Sequence, residues 1–105
     1  MNILVAGCGA VGGYLAAHLR RLGKGVTALD GWPANRAAIA AGGMRIEEPS
    51  GDFAARFPVA ASAAELRGRS FDLAILCCKL PETFGLLRAL EEDAGYRGPY
   101  LATLN

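Results

Sequence analysis

Asn2-Ile3-Leu4-Val5-Ala6-Gly7-Cys8-Gly9-Ala10-Val11-Gly12 is the stretch whose reading decides the fold. Its first five residues are a mostly apolar run with β-branched members, the length of a buried strand. Gly7 to Gly12 follows without a gap and fits G-x-G-x-x-G. From Ala10 to Leu22 the pattern turns helical, with Val11, Leu15, Leu19 and Leu22 spaced for one face. Gly23 and Gly25 close that helix, Val26-Thr27-Ala28-Leu29 reads as a second strand, and Asp30 stands at its end. A glycine motif alone says little. Here it lies between a strand and a helix, and an acid follows near the ~20-residue spacing of a dinucleotide-binding unit. An ordinary glycine-rich turn of an α/β protein is the alternative, and the ordered series of strand, loop, helix, strand and acid speaks against it.

The chemistry of such a loop is that of its backbone. A pyrophosphate needs hydrogen-bond donors and partial positive charge, and a helix N-terminus supplies both through unpaired N–H groups and the helix dipole. The loop and first turn, Gly7, Cys8, Gly9, Ala10, Val11 and Gly12, are therefore candidate cofactor-binding residues. Gly7 permits the tight strand-to-helix turn, a side chain at Gly9 would block the pyrophosphate, and one at Gly12 would hold the helix away from the strand. Gly13 reads as a further close-packing position, since glycine inside a helix costs about 1 kcal/mol against alanine.

Asp30 bears on the choice of cofactor. A carboxylate at the end of the second strand accepts hydrogen bonds from the adenine ribose hydroxyls of NAD. The extra phosphate of NADP would meet it as a like charge, at about 4 kcal/mol for ~4 Å and an effective dielectric of ~20. Asp30 thus favours NAD, while Arg36, one or two helical turns on, keeps NADP open. The competing reading of Asp30 is a plain cap on the next helix.

The 105 residues make one small domain, and 52% hydrophobic residues suffice for a layered core. Eleven basic against ten acidic side chains leave a net charge of +1, which offers no electrostatic case for nucleic acid or an anionic membrane. No apolar run reaches the ~18–20 residues that span a bilayer. Val5-Ala6-Gly7-Cys8 mimics a lipoprotein cleavage site, but Met1 to Leu4 carries no Lys or Arg and no apolar h-region precedes the cysteine. Three cysteines, with Cys77 and Cys78 adjacent, make neither a disulfide framework nor a metal-ligand spacing, and free thiols fit a cytoplasmic protein.

Beyond Asp30, Gly31-Trp32-Pro33 is a turn that starts a second helix, with Pro33 suited to its first position and Gly42-Gly43 ending it. Trp32 either flanks the adenine or covers the helix base. Met44 to Glu47 alternates as a half-exposed strand, Glu48 to Asp52 is a turn, and Phe53, Phe57 and Val59 suggest one returning strand, hence a β-hairpin. Ser62-Ala63-Ala64-Glu65 has the form of a capping box. Phe71 to Cys78 is the next buried strand, and Lys79 at its carboxyl end lies where ligands bind in a doubly wound sheet. That position aims Lys79 at the nicotinamide side of the cofactor or at the substrate; a solvated loop lysine is the other reading. Leu80-Pro81-Glu82 opens a helix with Phe84, Leu87 and Leu90 on its buried face, and its late acids Glu91-Glu92-Asp93 oppose the dipole. Tyr100 to Leu104 reads as a last strand ending at Asn105, and His18 as a surface residue without a catalytic role. The architecture expected is α/β: a Rossmann-type doubly wound parallel sheet, strand order 3-2-1-4-5, with a β-hairpin insertion.

Several of these stretches together resemble the N-terminal domain of the ketopantoate reductase (2-dehydropantoate 2-reductase) family. They are Gly7 to Tyr14, Val26-Thr27, Gly43-Met44-Arg45-Ile46, Gly51-Asp52-Phe53 with its Pro58-Val59 return, the strand ending in Lys79 and the strand ending in Asn105. The resemblance covers essentially the whole chain. It implies an oxidoreductase of pantothenate biosynthesis or a close variant, moving hydride from a nicotinamide to the ketone of a small 2-oxo acid. It also implies that Lys79 serves the cofactor and active-site side and that Asn105 positions cofactor and substrate; Cys78, next to Lys79, is a further candidate cofactor-binding residue. The chain departs from the best-known members, which prefer NADPH and place a basic residue after the second strand, where this chain has Asp30-Gly31-Trp32-Pro33. In the family a helical C-terminal domain supplies the general-acid lysine and most substrate contacts. The expectation is therefore a dinucleotide-binding domain over residues 1–105 without that partner domain, inactive alone and prone to self-association. A non-catalytic dinucleotide-sensing module, of the kind that regulates potassium transport, is the alternative, and the hairpin and Lys79 speak against it.

Overall fold

The apolar run at the amino end becomes the middle strand of a parallel sheet, and the rest of the chain is hung on either side of it. The computed structural model describes residues 1–7 and 9–103. Its elements are β1 (Asn2–Ala6), α1 (Ala10–Arg21), β2 (Gly25–Leu29), α2 (Pro33–Gly42), β3 (Met44–Ile46), β4 (Phe53–Ala55), β5 (Val59–Ala60), a 3-10 turn (Ala63–Leu66), β6 (Leu73–Leu76), α3 (Leu80–Glu92) and β7 (Tyr100–Ala102). Five strands form one sheet in the order β5-β2-β1-β6-β7, while β3 and β4 form a separate two-stranded antiparallel sheet. Every pair in the large sheet is parallel. Val5 of β1 lies between Ala28 of β2 and Ile75 of β6, so the chain leaves β1 into the crevice where the strand order reverses.

Alternate residues of β1 serve opposite faces. Ile3 and Val5 pack with Val26, Ala28 and Ile75 against Ala16 and Ala17 of α1 and Ile39 of α2. Leu4 and Ala6 pack with Leu29, Ala74 and Leu76 against Leu66, Leu90 and Tyr96 on the other side. Both faces are covered, which is why β1 and β6 read as continuous apolar runs.

Three sequence expectations are corrected. The expected single returning strand is two strands: Phe53–Ala55 pairs with Met44–Ile46, and Val59–Ala60 joins the large sheet beside β2. Between them Phe57 turns into the core, and Pro58, which has no N–H to donate, interrupts any continuous ladder. On α1 the buried face consists of Gly12, Gly13, Ala16 and Ala17; Val11 and Leu22 are exposed, and Leu15 and Leu19 pack at the margin. A helix held this close to a sheet has room only for small residues at the contact. On α3, Phe84 is 70% exposed, and the inward positions are Thr83 and Leu90 with Leu86 and Leu87 beside them.

Most other local expectations hold. Pro33 opens α2, and Gly43 ends it at φ 83°. The capping box is present: Glu65 Oε2 accepts the Ser62 N–H at 2.8 Å, although the turn it opens is 3-10. The acids closing α3 are offset by two arginines. Arg67 donates to the Asp93 carbonyl at 2.8 Å, and Arg97 donates to the Glu91 carbonyl at 3.2 Å. His18, expected as a surface residue, is instead half-buried: it lies between the rings of Tyr14 and Phe53, with Nε2 3.4 Å from a Glu48 carboxylate oxygen. Glu48 also accepts from Ser50 (2.9 Å) and Tyr14 (3.2 Å), so this cluster ties the hairpin to α1. The Ser50 hydroxyl, with help from Tyr14 and His18, holds the Glu48 carboxyl below the usual carboxylate range.

The two helical glycines of α1 predict different outcomes. A Cβ at Gly12 would lie 1.8 Å from the Gly7 carbonyl oxygen, whereas one at Gly13 would meet only the flexible end of Met44 at 2.6 Å. Gly12→Ala is therefore expected to destabilise the chain by about 3 kcal/mol. Gly13→Ala should stay within about 1 kcal/mol of the unmodified chain, because the gain in helix propensity offsets the shift of Met44. Urea unfolding followed by circular dichroism checks both.

Candidate functional site

The loop that leaves β1 is shaped by what its glycines allow. Gly7 sits at φ 92°, in the left-handed region, and a Cβ there would lie 2.8 Å from the Cys77 carbonyl oxygen. Its N–H donates to the Leu29 carbonyl at 2.8 Å, so the turn is clamped between the carboxyl ends of β2 and β6. Gly9 differs. It is the residue before the first turn of α1, it offers no side-chain cap, and a Cβ on it would meet nothing within 4 Å. Packing within the chain therefore does not require glycine at this position, and the space above it is open. The first turn of α1 carries no acid, so no side chain of that turn offsets the positive end of the helix dipole.

This helix end opens onto a cleft of about 430 Å³ lined by Gly7, Gly9, Ala10, Val11, Asp30, Trp32, Asn35, Cys77, Cys78, Lys79, Glu82 and Thr103. A smaller recess of about 220 Å³ adjoins it at Gly7, Asp30, Cys78 and Glu82 and is walled by Leu29, Gly31 and Leu86. Most of the residues singled out from sequence thus meet at one place: Gly7, Gly9, Ala10, Val11, Asp30, Trp32, Cys78 and Lys79. Gly12 lies outside the cleft and acts in the helix–strand contact. Cys8 and Asn105 lie outside the described residues.

Asp30 is buried, at 9% exposure, and both of its carboxylate oxygens are engaged. The Trp32 N–H donates to Oδ1 at 2.9 Å and Asn35 Nδ2 to Oδ2 at 3.1 Å, while Arg36 donates to the Asp30 main-chain carbonyl at 2.9 Å. Asp30 is not the cap of α2, whose N-cap position is Trp32 with no side-chain cap; it accepts the N–H of that residue and lines the cleft. A carboxylate has about four acceptor sites, so roughly two remain. Trp32 is 67% exposed at the cleft rim and does not cover the base of α2.

Lys79 is exposed and precedes the first turn of α3. Its carbonyl accepts the Thr83 hydroxyl at 3.2 Å and the Glu82 N–H at 3.0 Å. The buried Thr83 also contacts the Cys78 thiol at 3.4 Å, so the backbone beneath Lys79 is held in place. Burial pushes the Cys77 thiol up, against a smaller opposing effect of Thr103. Sequence reasoning missed Asn35, Cys77, Glu82 and Thr103 as cleft residues. For Asn35 and Glu82 a signal existed, because each sits in the first turn of a helix that starts at the carboxyl edge of the sheet. Among the described residues, no helix is long and apolar enough to cross a membrane, and no three His, Cys, Asp or Glu side chains converge as a metal site.

Fold and cleft together define a Rossmann-type α/β domain with a crevice at its topological switch point. The family model described as ketopantoate reductase PanE/ApbA matches residues 3–97, and the chain belongs to that family. Among solved structures, it is 28% identical to a PanE/ApbA family ketopantoate reductase from Ralstonia eutropha JMP134, with a TM-score of 0.87 over 100% of this chain and 34% of that one. A 2-dehydropantoate 2-reductase from Methylococcus capsulatus is 32% identical, with a TM-score of 0.81 over 100% and 34% of the two chains. A D-mandelate dehydrogenase, solved with NADH and anilino(oxo)acetate, is 26% identical, with a TM-score of 0.84 over 100% and 33%. The chain thus spans about a third of the length of these relatives. No curated protein sequence matches it significantly.

The elevated Cys77 thiol has a measurable consequence. Burial favours the neutral thiol, so its contribution to stability is complete below the unfolded thiol value of about 8.5 and is lost as pH rises through the folded one. Iodoacetamide should modify Cys77 more slowly in the native chain than in urea at about pH 8.5, with the gap narrowing as the pH is raised further. Peptide mass spectrometry locates the adduct.

Proposed function

We propose that this chain is the dinucleotide-binding half of a ketopantoate reductase-like oxidoreductase and that it prefers NAD to NADP. The observation that carries the reading is the pairing, in one cleft, of an uncapped helix end with a buried and hydrogen-bonded carboxylate. The amides of Gly9, Ala10 and Val11, with Cys8 in the same loop, hold the pyrophosphate. Asp30 accepts the ribose hydroxyls, Trp32 flanks the base, and Cys78 forms part of the wall. The open space above Gly9 supports this assignment, because a side chain there would disturb nothing except a ligand.

When bound, the nicotinamide supplies the hydride for reduction of the ketone of a small 2-oxo acid, such as 2-dehydropantoate. Lys79, at the carboxyl end of β6, faces the nicotinamide and substrate side, and Asn105 adjoins it by its resemblance to the family. A ketone must be held over the reacting ring with a proton donor within reach. In the family those groups come largely from the helical domain, so residues 1–105 bind dinucleotide with little turnover.

The preference for NAD rests on charge. The phosphate of NADP would approach the Asp30 carboxylate, whose two donors are both fixed. Support comes also from the D-mandelate dehydrogenase structure, which contains NADH. Arg36 donates to the Asp30 main-chain carbonyl, and removing the Asp30 carboxylate would leave it as the nearby charge for a phosphate to meet. Titration calorimetry should show NADH binding about tenfold more tightly than NADPH, and Asp30→Ser should abolish or invert that ratio. Tighter binding of NADPH by the unmodified chain would overturn the assignment.

A further inference from the structure

Asn35 is exposed on the first turn of α2 and lines the cleft, yet its amide points back at Asp30. The start of α2 has no evident need of that hydrogen bond. Pro33 occupies the first helical position, where no N–H is wanted, and the Trp32 N–H already has Asp30 Oδ1. The Asn35 Nδ2 donates instead to Oδ2, the oxygen that Trp32 leaves free. One donor on each oxygen fixes the plane of the carboxylate, so its remaining lone pairs have defined directions.

From this geometry we infer that Asn35 is a specificity-determining residue acting through Asp30. By pinning Oδ2 it presents an oriented double acceptor, which suits two vicinal ribose hydroxyls, while the charge that repels a phosphate belongs to Asp30 with or without that bond. The inference rests on the proposed dinucleotide reading and goes beyond it. With Asn35 gone, Oδ2 loses that donor and the carboxylate plane is held only through Oδ1 and the Trp32 N–H. The ribose then loses an oriented acceptor, whereas a phosphate, which had nothing to gain from Asp30, loses nothing. The signature is therefore a change in the ratio of affinities and not a general loss of binding.

Asn35→Ala and Asn35→Leu both remove the donor and place a good helix former on an exposed position, and Leu nearly preserves the shape. Calorimetric titration of the 105-residue chain with NADH and with NADPH reads the effect, beside the thermal midpoint. Both variants should weaken NADH about tenfold, a hydrogen bond to a charged group being at stake, with NADPH unchanged. In an Asp30→Ala background the further change Asn35→Ala should leave NADH affinity unaltered, because the residue acts only through that carboxylate. An unchanged NADH-to-NADPH ratio in both variants, or an undiminished effect in the Asp30→Ala background, would overturn the inference while leaving the dinucleotide reading intact. Failure of the unmodified chain to bind either dinucleotide would bring down both.

Discussion

The contact between Gly12 and the Gly7 carbonyl, too close to admit even a methyl group, sets the distance between α1 and the centre of the sheet. Everything at the site follows from that approach. Because the helix starts directly above the end of β1, its unpaired amides open into the crevice between β2 and β6. Because it lies so low, its buried face is Gly12, Gly13, Ala16 and Ala17, and bulky residues are displaced to its edges. The hairpin then packs on the outer part of the same helix, through Met44 on Gly13 and through the Tyr14, His18 and Glu48 cluster.

At the other end of the cleft the governing interaction is electrostatic. Asp30 closes β2, receives donors from the start of α2, and still has acceptor capacity facing the cleft. A structural cap and a ligand-facing carboxylate are often posed as rival readings of an acid at this position. The N-cap position of α2 belongs to Trp32 and no side chain caps the helix, so Asp30 acts one step earlier, by accepting the Trp32 N–H and the Asn35 amide that together orient its charge. At Lys79 the carbonyl is held by Thr83 while the side chain remains exposed at the cleft.

The hairpin inserted before β5 is a feature that a minimal dinucleotide-binding unit does not need. Its presence explains why β5 is only Val59–Ala60: the chain has already spent Phe53–Ala55 on β4 and must turn through Phe57 and Pro58 before reaching the sheet. The short edge strand is thus a consequence of the insertion.

The sequence by itself determined the central strand, the glycine loop, the α1–β2 unit and the acid at its end, because each is written in local spacing. It also determined that a hairpin follows α2, the start of α2 at Pro33 and the place of Lys79 just beyond a buried strand, but not the division of the returning stretch between two sheets. Tertiary structure alone decided which helix positions face inward. Periodicity marks Val11, Leu22 and Phe84 as apolar but cannot say how near the sheet lies, and that distance selected glycine and alanine on α1 and left Phe84 outside on α3. Only the folded chain, too, could bring Asn35 to Asp30 and Thr83 to Lys79 and Cys78. Those pairings depend on the angle at which each helix leaves its strand, a geometry set by packing on both faces of the sheet and not by any single stretch of residues.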